Sequence, residues 1–183
     1  AAGFEVNAAL EQLYIPYITA EQAKQPPKKY FFELRPPLPE MPLDVSIAEQ
    51  FAAESDLGLI TLGRNAGEFQ DRELADDYYL TNTEQTMLKT VAEAYHAAGK
   101  KVVLVLNTGN VIETASWRDQ VDALVLAWQG GQEAGHAVTA VLAGSVNPSG
   151  KLPTSFSLDY ADVPSAAYFP GERLPHAKEH FLG

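Results

Sequence analysis

A chain of 183 residues, 46% hydrophobic and 20% charged, has globular composition and enough length for one sizeable core. Its formal net charge of −11 opposes a phosphate backbone, no basic amphipathic helix favours an anionic membrane, and no apolar run reaches the ~18–20 residues of a span. Cysteine is absent, which excludes disulfides, thiolate metal sites and a cysteine nucleophile and leaves the compartment open.

The opening Ala1-Ala2-Gly3-Phe4-Glu5-Val6-Asn7 reads as the last turn of a helix, a glycine stop and a short strand at 4–6. The partner elements of that strand are expected before it, and residues 166–183 read as a C-terminal loop or linker, so the chain is expected to be a piece of a larger protein. Leu10, Leu13, Tyr14 and Tyr17 recur at helical spacing over 8–17, with Pro16 expected to shorten or kink that helix. A proline-dense surface segment follows over 20–45. Its Tyr30-Phe31-Phe32 cluster is expected to dock on a neighbouring domain.

A short helix is expected over 46–55, capped by Ser46 with Glu49 three residues on. The apolar run 57–62 predicts a strand, which empties into a polar loop over 63–80. The strongest helix signal spans 82–98: Thr81 and Glu84 form a capping box, Met87, Leu88, Val91 and Tyr95 share a face, and Gly99 stops it. Residues 102–106 are apolar on both faces, as in a parallel strand buried between helices. A turn at Trp117, a strand over 123–128 and a helix over 134–143 closed by Gly144 complete the pattern. Strand–helix alternation at this spacing predicts an α/β fold over 1–165: a three-layer α/β/α sandwich with a mostly parallel sheet, incomplete at both ends.

Open α/β sheets present chemistry beyond the carboxyl ends of their strands, which draws attention to the loop 63–80. Glu68 within it is the candidate proton donor; the bland alternative is a solvated loop carboxylate. Asp71 and Arg72 pair with each other or pin the loop, and Glu73, Asp76 and Asp77 read as solvated face. The four histidines share no ligand spacing, so no metal site is expected. G-x-G-x-x-G, P-loop and G-x-S-x-G patterns are missing, so no nucleotide cofactor and no serine nucleophile are expected.

Taken together the motifs resemble a known family. They run Gly63-Arg64-x-x-Gly67-Glu68-x-x-Asp71-Arg72, then Lys101 through Asn107-x-Gly109, then Trp117 and Val121-Asp122-Ala123-Leu124. Trp128-x-x-Gly131-Gln132-Glu133-x-Gly135 follows, and last Gly144-x-x-Asn147-Pro148-Ser149-Gly150-Lys151-Leu152-Pro153-x-Ser155-Phe156. In that order and spacing, over 46–165, the chain resembles the C-terminal α/β-sandwich domain of glycoside hydrolase family 3, the β-glucosidase and β-xylosidase family. The resemblance implies a retaining glycosidase. An N-terminal (β/α)8-like barrel supplies an aspartate nucleophile, and the sandwich supplies the general acid/base from a loop, the position that carries over onto Glu68. A glycine commonly follows that glutamate in the family, whereas Phe69 stands here. With a saccharide as substrate, Arg72 becomes a candidate for reaching a sugar hydroxyl. Trp128 becomes a candidate for stacking on the ring, with Trp117 the weaker one. Against this stands a non-catalytic structural or carbohydrate-binding domain whose loops only shape a partner's pocket. A flavodoxin-like nucleotide binder is disfavoured by the missing phosphate loops.

Overall fold

A computed structural model describes residues 3–33, 35–65 and 71–169 of the chain. At its centre is a parallel sheet of β1 (Leu57–Arg64), β2 (Lys101–Thr108) and β3 (Ala123–Leu126), in that order. The register pairs Leu57 with Lys101 and Val103 with Ala123, so Gly58, Ile60 and Leu62 share a face with Val102, Leu104 and Leu106. These residues, glycine aside, belong to one buried cluster with Met87, Leu88 and Tyr95 of α3 (Asn82–Ala97) and with Ala48 and Ala52 of α2 (Val45–Glu54). Gly58 lets the layers pack closely: a methyl group at its position would lie 3.2 Å from Val102 and 3.3 Å from the Tyr95 ring, a tight fit. This is the α/β architecture with a parallel sheet that the strand and helix pattern predicts. On the opposite face Leu59 is half-exposed and Val105 buried. No helix among the described residues is long and apolar enough to cross a membrane.

The α3 signals are realised as read. Thr81 Oγ accepts the Glu84 N–H at 3.1 Å, Glu84 Oε2 accepts the Thr81 N–H at 2.8 Å, and Gly99 takes φ +71° at the helix end. Other expectations are corrected. Residues 4–6 form no strand, and Phe4 and Val6 are exposed. Asn7 instead caps α1 (Ala8–Lys24), its side chain accepting the Ala9 N–H at 2.9 Å. That helix continues through Pro16 instead of stopping there. Tertiary bonds offset the missing donor: Tyr14 Oη donates to Glu40 Oε1 at 2.8 Å, Tyr17 Oη to the Pro39 and Glu40 carbonyls, and Gln25 Nε2 to the Pro36 carbonyl at 2.7 Å. The proline-rich segment, having few ladder partners of its own, is thereby tied to α1.

Helix α2 starts from Asp44, whose carbonyl accepts the Ile47 and Ala48 N–H groups, two residues earlier than the expected Ser46 cap. Strand β3 ends at Leu126, two residues before the expected Trp128. The Ala127 N–H still reaches the Leu106 carbonyl at 2.8 Å, but Trp128 adopts φ +50°, a left-handed backbone that cannot extend a ladder. Helix α4 (Ala134–Leu142) follows, closed by Gly144 at φ +71°; it has no fully buried residue.

Candidate functional site

Arg64, the last residue of β1, lies at the carboxyl end of the sheet with its guanidinium turned onto the start of α3. Nη1 and Nη2 each donate at 2.7 Å to one oxygen of Glu84, Nε donates to the Asp77 carbonyl at 2.8 Å, and Nη1 also reaches the Gly63 carbonyl. Two forces place Glu84 there. The helix N-terminus favours a negative charge, and the Thr81 amide needs an acceptor. The Arg64 and Glu84 side chains are only 8% and 11% exposed, so the pair works in a largely water-free setting.

Arg72 forms a second fork. Nε and Nη2 donate to the two oxygens of Asp77 at 2.9 and 2.6 Å, and Nη1 donates to the Val111 carbonyl at 2.8 Å. Asp77 is therefore no solvated carboxylate; it stands between two arginines, with Arg64 Nε also 3.9 Å from Oδ1. Glu73 and Asp76 are exposed as expected, and so is Asp71, so Arg72 pairs across a wide turn and not with its neighbour. The turn is made by i→i+5 bonds, Tyr78 N–H to the Glu73 carbonyl and Tyr79 N–H to the Leu74 carbonyl, with Asp76 at φ +61°. Glu68 and Phe69 lie outside the described residues. Arg64 and Arg72 bracket them.

Val111 lines an open cleft of about 470 Å³ with Gly109, Asn110, Trp128, Pro153 and Thr154, beyond the carboxyl ends of β2 and β3. Trp128 is half-buried, its ring centroid 6.2 Å from that of Phe156. Positive φ at an aromatic residue costs roughly 1–3 kcal/mol, so packing holds the ring at the cleft against backbone preference. The Gln129 amide packs close over Gly109: a Cβ there would meet it at 2.9 Å, and the glutamine side chain would have to shift. Trp117 is a core residue, fully buried and donating Nε1–H to the Glu113 carbonyl at 2.7 Å.

Two groups near the cleft carry no sequence pattern. Glu113 is buried, its oxygens accepting the Ser116 N–H and hydroxyl at 2.7 Å each, and its own N–H donates to the Tyr78 carbonyl at 2.9 Å. Tyr78 is buried against the rings of Tyr79 and Tyr160, and its hydroxyl has no partner among the described residues. Burial pushes that phenol above its ordinary range, with Tyr79 and Glu113 adding to the effect. Among the described residues no group of three or more His, Asp or Glu side chains is placed to hold a metal ion. His96 sits at the other end of the sheet, with Nε2 2.8 Å from Asp122 Oδ2.

The profile of the glycosyl hydrolase family 3 C-terminal domain matches residues 7–182. The chain belongs to this family. The family 3 domain is 37% identical over 147 residues to a β-glucosidase of Ruminococcus albus, a match covering 79% of the chain and 15% of that protein. An exo-α-(1→6)-L-arabinopyranosidase of Bifidobacterium breve is also 37% identical, over 137 residues, covering 73% of the chain and 17% of that protein. The solved structure of β-glucosidase 3B from Thermotoga neapolitana in complex with α-D-glucose superimposes with a TM-score of 0.84 at 41% identity. That superposition covers 93% of this chain and 24% of the other. The chain thus spans a quarter or less of the length of these relatives.

Proposed function

We propose that this domain supplies the general acid/base of a retaining β-glycosidase, with Glu68 as the proton donor and a separate barrel of the same enzyme supplying an aspartate nucleophile. The observation that carries the reading is the pair of arginine forks. In the sequence Arg64 and Arg72 stand before and after Glu68; Arg64 forks onto Glu84 of α3, and Arg72 is bonded to Asp77 and to Val111 on the wall of the Trp128 cleft. A proton donor must reach the leaving oxygen within hydrogen-bond distance, and fixed residues on either side of it in the sequence suit that demand.

In the reaction Glu68 protonates the departing glycosidic oxygen while the barrel aspartate attacks the anomeric carbon. Glu68, now a carboxylate, then takes a proton from the water that hydrolyses the glycosyl-enzyme. The two carboxyl groups must stand about 5–5.5 Å apart for this outcome. Trp128 offers an apolar face for a sugar ring. Among the described residues three of the five guanidinium N–H donors of Arg72 are engaged, and the others are candidates for a sugar hydroxyl. Relatives of equal identity carry β-glucosidase and arabinopyranosidase names, so the terminal sugar is selected largely outside this domain.

The test uses the full-length enzyme. Glu68→Ala is expected to lower kcat/KM by roughly 10²–10⁴-fold on substrates with poor leaving groups and far less on activated aryl glycosides. Azide should rescue the latter as a glycosyl azide. Unchanged kinetics exclude Glu68. The isolated chain, lacking a nucleophile, should not hydrolyse aryl β-glucosides or β-xylosides; clear turnover would refute the division of labour.

A further inference from the structure

We infer that Trp128 and Gln129 form a saccharide subsite on the leaving-group side of the cleaved bond, taking the sugar unit next to the terminal one; this rests on the glycosidase reading, whichever residue donates the proton. In an extended strand two consecutive side chains point to opposite faces. At Trp128 the left-handed backbone, φ +50°, breaks that alternation. The indole lines the cleft with Gly109, Asn110 and Val111, and the next side chain, Gln129, lays its amide over Gly109 of the same loop. An aromatic ring and an amide are thus brought to one short loop. A pyranose presents the matching chemistry, an apolar C–H face for the ring and hydroxyls for the amide. Backbone strain at a bulky residue is kept only where the surroundings enforce it, which fits a ring aimed at a ligand.

The cleft is built in advance. The buried Thr108 hydroxyl donates to the Asn110 carbonyl and Arg72 Nη1 to the Val111 carbonyl, so the 109–111 loop is fixed without a ligand and little ordering is left for binding. The Trp128 and Phe156 rings meet at 42°, a tilted contact that braces the indole without stacking on it. Thr154, exposed in the same cleft, adds a hydroxyl. The volume of about 470 Å³ lies within the range of small-molecule sites. An open cleft suits a leaving saccharide that runs out to solvent. The terminal sugar, at the reacting centre, calls for enclosure and the exclusion of water.

In the full-length enzyme, Trp128→Ala, Gln129→Ala and Gly109→Ala are compared with wild type on methyl β-D-glucoside and cellobiose, or on methyl β-D-xyloside and xylobiose where xylosides are preferred. Both members of a pair need a proton on a poor leaving oxygen, and only the disaccharide carries a second ring. The ratio of their kcat/KM values therefore reads the subsite and is blind to the acid/base. Trp128→Ala should lower the ratio of disaccharide to methyl glycoside about 10-fold, through lost apolar contact. Gln129→Ala should lower it about 3- to 10-fold, through a lost hydrogen bond. Gly109→Ala displaces the amide without removing it and should shift the ratio the same way. It and Gln129→Ala carry the test if Trp128→Ala does not fold. A wild-type ratio in the folded variants, whether both substrates suffer equally or neither does, overturns the subsite. A Glu68→Ala enzyme without leaving-group dependence overturns the acid/base assignment and leaves the result for Trp128 and Gln129 standing.

Discussion

The two ends of the sheet are held by the same device built from different parts. At the amino end Asp122 accepts from Lys101 Nζ at 2.6 Å and the Val102 N–H at 2.9 Å, and meets His96 Nε2 at 2.8 Å, joining the starts of β2 and β3 to the last turn of α3. Its side-chain partners are exposed, Lys101 by 73% and His96 by 43%. At the carboxyl end Glu84 and Asp77 each receive an arginine fork, and the arginine side chains are 8% and 17% exposed. A solvated ammonium gives attraction without direction, and water and salt screen it. A guanidinium fork in a drier setting fixes orientation as well as distance. The amino end only has to stay closed. The carboxyl end holds two guanidinium groups in set directions.

The contrast predicts unequal costs. Glu84→Ala should have the largest effect on stability, because it strands Arg64 in a nearly dry pocket and removes half of the α3 capping box. Breaking a buried pair from one side costs roughly 3–5 kcal/mol. Thermal unfolding of the full-length enzyme should show a drop in Tm well beyond that of any substitution at Asp122. Equal drops at the two ends would erase the distinction between them.

Asp122 sharpens the comparison through pH. The Lys101 ammonium first, then the Val102 amide and His96, hold its carboxyl below the usual carboxylate range. The unfolded chain protonates the same group near pH ~4, so below that value the unfolded state binds more protons and stability falls with pH. The contribution is complete above about pH 4 and is lost as pH drops through the folded-state value. Asp122→Asn should lower Tm modestly at neutral pH and flatten the decline of Tm below about pH 4. An unaltered acid slope would show that the amino-end cluster contributes nothing in solution.

What the sequence conveyed was local. Thr81 and Glu84 lie three residues apart, and the capping box they announce is present. The second duty of Glu84, as partner of Arg64 twenty residues earlier, has no local signature. Asp77 was legible only as one acidic residue among several. Its pairing with Arg72 crosses a wide i→i+5 turn, which neither helical nor strand periodicity describes. Pro16 follows the rule for an isolated helix, and tyrosine bonds to residues 39 and 40 override that rule. The apolar run to Trp128 reads as strand because hydrophobicity does not report a backbone at φ +50°. The loop carrying Glu68 was singled out by the strand before it and the helix after it. The contacts of Arg64 and Arg72 on either side of it are tertiary and have no local signature.

The smallest effect expected is also the one that could reverse sign. The Tyr78 hydroxyl lies buried at the carboxyl end with no partner among the described residues, while the Tyr78 carbonyl accepts the Glu113 N–H at 2.9 Å. An unmet buried hydroxyl costs about 1–3 kcal/mol of desolvation, and phenylalanine removes it while keeping the ring against Tyr79 and Tyr160. Tyr78→Phe should therefore leave Tm unchanged or raise it, by the equivalent of up to about 1 kcal/mol. The carboxyl end would then tolerate a locally unfavourable group beside its two forks, a cost with no counterpart at Asp122. A fall in Tm would mean that the hydroxyl is hydrogen-bonded in the working enzyme. The polar network around Asp77 and Glu113 would then extend to Tyr78.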